Sequence, residues 1–83
     1  GVPGRFDAIV CNPPFHVGSR GVPALGKAFI AAAARALTRE GQLLLVANRH
    51  LPYEEALLEA FARSERLAEQ GGFKVYRAWE PRP

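Results

Sequence analysis

Phe6-Asp7-Ala8-Ile9-Val10-Cys11 is a short, mostly apolar run that ends at prolines, and it reads as a buried parallel strand. Beyond it the period changes. Val22, Leu25, Phe29, Ala33, Ala36 and Leu37 recur at spacings of three and four, which predicts an amphipathic helix with Pro23 in its first turn. Gly41 reads as the left-handed stop of that helix. Gln42 to Ala47, with its Leu43-Leu44-Leu45-Val46 core, predicts a second buried strand. Strand, helix and strand together predict a right-handed parallel crossover, so Asn48, Arg49 and His50 leave the second strand on the same edge as Asn12. A shorter helix is predicted from Pro52 or Tyr53 to about Arg63, with Ala56, Leu57, Ala60 and Phe61 as its apolar side. Glu65 to Glu69 and Phe73 to Trp79 flank Gly71-Gly72, the signature of a β-hairpin. If its first strand runs parallel to the others, the hairpin turn joins the Asn12 edge and brings Lys74 near it. No internal repeat or second-domain boundary interrupts this order.

The segment after the first strand carries the chemistry. In an open α/β sheet, ligands bind at the carboxyl ends of the strands, where Asn12-Pro13-Pro14-Phe15 is expected to stand. The prolines lack an amide hydrogen and end the ladder, and each residue before a proline is driven to extended geometry. A stiff rim results, presenting the Asn12 amide oxygen and backbone carbonyls that no helix consumes.

The run Phe6-Asp7-x-Ile9-x-x-Asn12-Pro13-Pro14-Phe15 resembles the catalytic motif of S-adenosylmethionine-dependent N-methyltransferases, which methylate exocyclic or amide nitrogens. The extension His16-x-Gly18 narrows the match, as do Val46-Ala47-Asn48-Arg49-His50-Leu51-Pro52-Tyr53 and Gly72-Phe73-Lys74-Val75-Tyr76-Arg77-Ala78. These stretches are similar to the closing segments of the small-subunit ribosomal RNA methyltransferases of type C, which act on guanine-N2. The resemblance runs over nearly the whole chain. It implies a Rossmann-like α/β methyltransferase sheet of parallel strands with helices, closed by an antiparallel hairpin, and S-adenosyl-L-methionine as cofactor.

Length qualifies that picture. A nucleotide-binding α/β domain typically needs on the order of 150 residues, and this chain has 83. An adenosyl cofactor calls for a glycine loop after a first strand and an acid at the end of the second. The eight glycines here form no Gly-x-Gly cluster, and Gly1 to Gly4 read as a lead into a strand that belongs in mid-domain. The chain is therefore expected to be the carboxyl-terminal half of one methyltransferase domain, its partner being the missing amino-terminal half. Asn12 is the one residue here with a prospect of touching the cofactor.

Composition excludes little more. Hydrophobic residues make up 48% and charged residues 23%, which is ordinary for a globular chain and argues against disorder. The longest apolar stretch, around Ala28 to Leu37, falls short of the roughly 20 residues of a membrane span, and a cytoplasmic protein is expected. Cys11 is the only cysteine, so no intrachain disulfide or cysteine metal cluster can form, and no metal is expected. A net charge of +3 favours an anionic partner weakly.

The resemblance assigns roles residue by residue. The lone pair of a guanine amine is delocalised into the ring, so the nitrogen must be pyramidalised before it attacks. The Asn12 side-chain oxygen and the Pro13 carbonyl are the acceptors for its two hydrogens; Pro14 stiffens the segment and Phe15 stacks on an unpaired or flipped base. His16 is read as a pocket or RNA contact rather than a base, since the protonated amine is acidic enough to lose its proton to water. Arg49, His50 and Lys74 are read as phosphate contacts at the rim, with solvated surface charge as the alternative. Tyr53, Tyr76 and Trp79 are expected to pack. The partner implied is ribosomal RNA or the small ribosomal subunit. Rival readings are methylation of DNA adenine-N6 or of a protein glutamine amide, and a catalytically silent RNA-binding or scaffold fragment. The first two families more often carry tyrosine at the position of Phe15.

Overall fold

The computed structural model describes residues 5–12, 24–49 and 52–82. Its elements follow the order β1 (Phe6–Cys11), α1 (Ala24–Ala36), β2 (Leu37–Asn48), α2 (Glu54–Ala60), β3 (Phe61–Gln70) and β4 (Phe73–Pro81). The strands form one sheet in the order β1-β2-β4-β3. β1 and β2 are parallel, while β4 runs antiparallel to both β2 and β3. The expected mixed sheet with a closing hairpin is therefore present.

The core lies where α1 and α2 meet the sheet. Leu43, Leu45 and Ala47 of β2 alternate into it, with Tyr76 and Ala78 of β4, Ile30, Ala33 and Ala34 of α1, and Leu57 of α2. Leu43, Leu45 and Leu57 are fully buried, each worth about 1.5–3 kcal/mol against exposure. On the other sheet face Arg77 donates from Nε to Gln42 Oε1 at 2.6 Å and lies 4.2 Å from the Trp79 ring centroid, so Trp79 packs as expected.

Five local expectations are corrected. β1 is mostly exposed rather than buried, with Phe6 at 55% and Val10 at 72%, because it is an edge strand of the described sheet. The buried stripe of α1 is Gly26, Ile30, Ala33 and Ala34, turned by about one position from the predicted one; Phe29 is 41% exposed, and Leu37 is buried as the first residue of β2. The reason is that α1 packs on α2 and β2 as well as β1, which turns its buried side towards the middle of the sheet. Pro23 and Val22 lie outside the described residues.

Gly41 does not stop the helix in a left-handed turn. It sits inside β2, and positive φ among the described glycines is confined to Gly71 and Gly72. A β-carbon at Gly41 would stand 2.9 Å from Leu37 Cδ2 and 3.1 Å from the carbonyl oxygens of Phe6 and Asp7, so close approach is what requires glycine. Residues 38–41 are an irregularity in the ladder, where pairing passes from Phe6↔Leu37 to Ala8↔Gln42; Thr38 Oγ1 donates to Asp7 Oδ1 across it at 3.0 Å.

The second helix ends at Ala60 rather than near Arg63. Phe61 is already extended, at φ −132° and ψ 146°, while its amide still donates to Leu57 O. Its ring is fully buried, so it continues the helix's apolar side while opening β3. β3 is accordingly longer than predicted. At the hairpin tip, Gly71 (φ 61°) and Gly72 (φ 85°) both adopt the left-handed region that suits the twist of two-residue hairpins. No helix among the described residues is long and apolar enough to cross a membrane.

Candidate active-site edge

Because β1 and β2 are parallel, their carboxyl ends share one edge of the sheet. β4 runs the other way, so the Gly71–Gly72 turn arrives at the same edge, as the hairpin reading required. Asn48 pairs with Phe73, and the amide of Arg49 donates to the Gly72 carbonyl at 2.8 Å. Asn12, Arg49 and the hairpin tip are thus brought together from three distant parts of the chain.

Asn12 is exposed. With Ile9, Val10, Cys11, Phe29 and Ala36 it lines an open cavity of about 440 Å³ formed by β1 and α1 residues. This mainly apolar channel, with the Asn12 amide in its lining, can hold a flat or aliphatic group beside a hydrogen-bond acceptor. Pro13, Pro14, Phe15, His16 and His50 lie outside the described residues. Cys11 is half-buried and burial pushes its thiol up, which keeps it protonated and suits a packing role.

Arg49 is exposed at the rim. Lys74 is not. It is 7% exposed on the helix-covered face, its register partner is Ala47, and its Nζ lies 3.6 Å from Glu54 Oε2 and 5.5 Å from the Tyr76 ring centroid. Tyr76 donates from its hydroxyl to the same Glu54 oxygen at 2.5 Å. Burial pushes the Glu54 carboxyl up, but the Tyr76 hydroxyl, its own backbone amide and the Lys74 ammonium outweigh that and leave it below the usual carboxylate value. Burial and the Glu54 carboxylate together raise the Tyr76 hydroxyl far above an ordinary phenol. Lys74, read from sequence as a phosphate contact or surface charge, has its ammonium beside the Glu54 carboxylate in this fold.

That cluster has a geometric role which pattern reading missed. Glu54 is the first residue of α2, and the segment from Arg49 to Tyr53 joins it to β2. One end of the segment is held by Arg49 on Gly72, the other by Glu54 on Tyr76 and Lys74. The signal was present in the period of two, which puts Lys74, Tyr76 and Ala78 on one face of β4. Tyr53 was expected to pack and is fully buried. Among the described residues its hydroxyl has no hydrogen-bond partner, and burial followed by the neighbouring Cys11 pushes it up. Among the described residues, no group of three His, Cys, Asp or Glu side chains could hold a metal ion.

A family model, the methyltransferase small domain, matches residues 1–77. The chain belongs to this family. Ribosomal RNA small subunit methyltransferase C of Cronobacter sakazakii is 47% identical to this methyltransferase small domain over 77 residues, which is 93% of the chain and 22% of the relative. The protein of the same name from Escherichia coli matches equally, at 47% over 93% of the chain. Among solved structures, the Thermus thermophilus 16S rRNA N2 G1207 methyltransferase in complex with AdoMet and guanosine superposes with a TM-score of 0.83 and 42% identity, over 95% of this chain and 21% of that one. The chain therefore spans about a fifth of the length of these relatives. The resemblance read from the Asn12 motif and the two later stretches holds.

Proposed function

We propose that this methyltransferase small domain is the carboxyl-terminal part of one methyltransferase domain, which methylates the exocyclic N2 amine of a guanine in small-subunit ribosomal RNA using S-adenosyl-L-methionine. The observation that carries the reading is the exposed Asn12 at the shared carboxyl edge, beside the apolar channel and the Arg49–Gly72 junction. The relatives' names support the substrate class. As an enzyme acting on ribosomal RNA, it would work in the cytoplasm.

The described residues fit one wall of a cofactor site. Asn12 and the channel beside it suit the methyl-donor end. Among the described residues no carboxylate lines that channel to take ribose hydroxyls, so in this reading the rest of the site belongs to the missing amino-terminal half. When bound, the cofactor supplies an electrophilic methyl group.

In this reading Asn12 Oδ1 accepts one hydrogen of the guanine amine and the Pro13 carbonyl accepts the other. Two fixed acceptors turn the nitrogen lone pair out of conjugation and favour the positive charge that develops on it. As the N–C bond forms, the nitrogen becomes more acidic and releases a proton to water. Phe15 stacks on the base, worth roughly 1–3 kcal/mol. His16 is assigned to contact the substrate, and Arg49 and His50 to contact phosphates. Lys74 acts indirectly, by holding Glu54.

The test is to incubate the complete protein with labelled S-adenosylmethionine and small-subunit RNA and to identify the modified nucleoside by mass spectrometry. N2-methylguanosine supports the reading. Methyladenine in DNA, or methylglutamine in protein, would replace it with one of the rival substrates.

A further inference from the structure

The end of the sheet opposite Asn12 carries a second cluster of charge. Arg5 precedes β1, Arg35 lies in the last turn of α1, Arg39 is near the start of β2 and Arg82 follows β4. These four arginines, from four separate stretches, line one cavity of about 420 Å³ together with Ala34, Leu37 and Pro81. Among the described residues no carboxylate lines it. The neighbouring cavity shares Arg35 and Arg82, adds Lys27, and holds one acid, Glu59.

The contrast with the other cations is informative. Arg63, Arg66, Lys74 and Arg77 each have a carboxylate oxygen within 3.9 Å. Among the described residues, none of the four cavity arginines forms an ion pair. Arg82 is instead fixed by its Nε, which donates to the Leu58 carbonyl at 2.9 Å, leaving its terminal nitrogens to face elsewhere. The helix C-terminus accounts for a cation at position 35, but not for three more gathered around it. Like charges held together without counter-charge repel, and an anion between them removes that cost. Guanidinium forks match phosphate oxygens in pairs, which lysine cannot do.

We propose that Arg5, Arg35, Arg39 and Arg82 form a phosphate-binding site that holds the backbone of the RNA substrate at a distance from the reacting base. The inference rests on the functional reading above, which supplies a polyanion long enough to reach both ends. From Arg39 to Asn48 is roughly 30 Å of strand, a span that a folded RNA covers easily. The site contributes affinity and register, and the acceptor edge contributes chemistry.

The experiment uses the complete protein and a small-subunit RNA fragment, with affinity followed by fluorescence anisotropy between about 50 and 200 mM salt. For the double variant Arg35→Gln/Arg39→Gln, the plot of log affinity against log salt should be shallower by about 1.4, or about 0.7 for each phosphate no longer neutralised. Over that range the salt sensitivity then differs about sevenfold from the parent. Arg63→Gln/Arg66→Gln, which removes the same charge from paired arginines on β3, is the control and should leave the slope nearly unaltered. An unaltered slope in the first variant, or an equal change in the control, overturns the site while leaving the functional reading intact. Titration with inorganic phosphate supplies the other arm: saturable binding that disappears in the variant without a change in RNA slope assigns the cavity to a small anion and overturns the RNA site. A parent protein that does not bind RNA overturns both this inference and the functional reading.

Discussion

Gly26 exists to admit Tyr53. A β-carbon at position 26 would stand inside van der Waals distance of the Tyr53 hydroxyl oxygen, and 3.0 Å from its Cε1. Replacing an exposed helical glycine by alanine ordinarily gains about 1 kcal/mol. Here the ring is rigid and fully buried, so overpacking, at about 1–3 kcal/mol, should cancel or exceed that gain. Gly26→Ala is therefore expected to lower or fail to raise the melting temperature of the complete protein. In a Tyr53→Phe background the worst contact is gone, and the penalty should shrink. Equal penalties in the two backgrounds would show that the hydroxyl is not what position 26 accommodates.

Tyr53→Phe alone should be neutral or slightly stabilising, because the hydroxyl it removes is buried without a hydrogen-bond partner. Chemical denaturation measures this. A loss above about 1 kcal/mol would mean that the hydroxyl finds a partner in the complete protein.

Asn12→Ala should abolish methyl transfer with little effect on folding or cofactor affinity. Asn12 is exposed at the sheet edge and is not among the core residues. Methylation assays beside calorimetric cofactor binding decide it; near-normal turnover in a folded variant would remove Asn12 from the mechanism.

The Glu54–Lys74 pair should respond asymmetrically to its two deletions. The Glu54 side chain is 52% exposed and the Lys74 side chain only 9%. Removing the lysine as Lys74→Met keeps its stem packing and leaves a carboxylate that water can solvate, at a cost of about 1 kcal/mol. Glu54→Gln strands a buried ammonium and should cost more. Neither variant should alter the salt slope of RNA binding if Lys74 acts by holding Glu54. A slope shallower by about 0.7 in Lys74→Met would restore it as a direct RNA contact.

Stability should fall at both pH extremes through this cluster. Glu54 is held below its unfolded value, so its contribution is present above the usual carboxylate pKa and is lost as pH falls through the lower, folded one. Tyr76 is held above its unfolded value, so its contribution is complete below the usual phenol pKa and is lost as pH rises towards the folded one. Denaturation profiles of Glu54→Gln and Tyr76→Phe should be flatter on the acid and alkaline sides respectively. An acid limb unchanged by Glu54→Gln would show that the pair makes no net contribution.

Order and type of element were legible in the chain because they follow local periods. The run from Phe6 to Cys11, the Leu-rich stretch of β2 and the paired glycines at 71 and 72 each carry their own signal, and the Asn12-Pro13-Pro14-Phe15 motif carries the family resemblance from sequence alone. What pattern could not supply was which of two adjacent faces α1 buries. Phe29 and Ile30 satisfy the period of 3.6 almost equally, and the choice is made by what the helix packs against, which lies elsewhere in the chain. Gly41 has the same explanation, since its demand for glycine comes from Phe6 and Asp7, more than thirty residues away. Phe61 continues the helical stripe and yet opens a strand, because it is pulled into the core by the hairpin that follows. The commitment of Lys74 to Glu54 and the gathering of four arginines at one end are likewise tertiary facts. Charge has no period of its own, so whether a cation meets an acid, a phosphate or water depends on which strand ends the fold sets side by side.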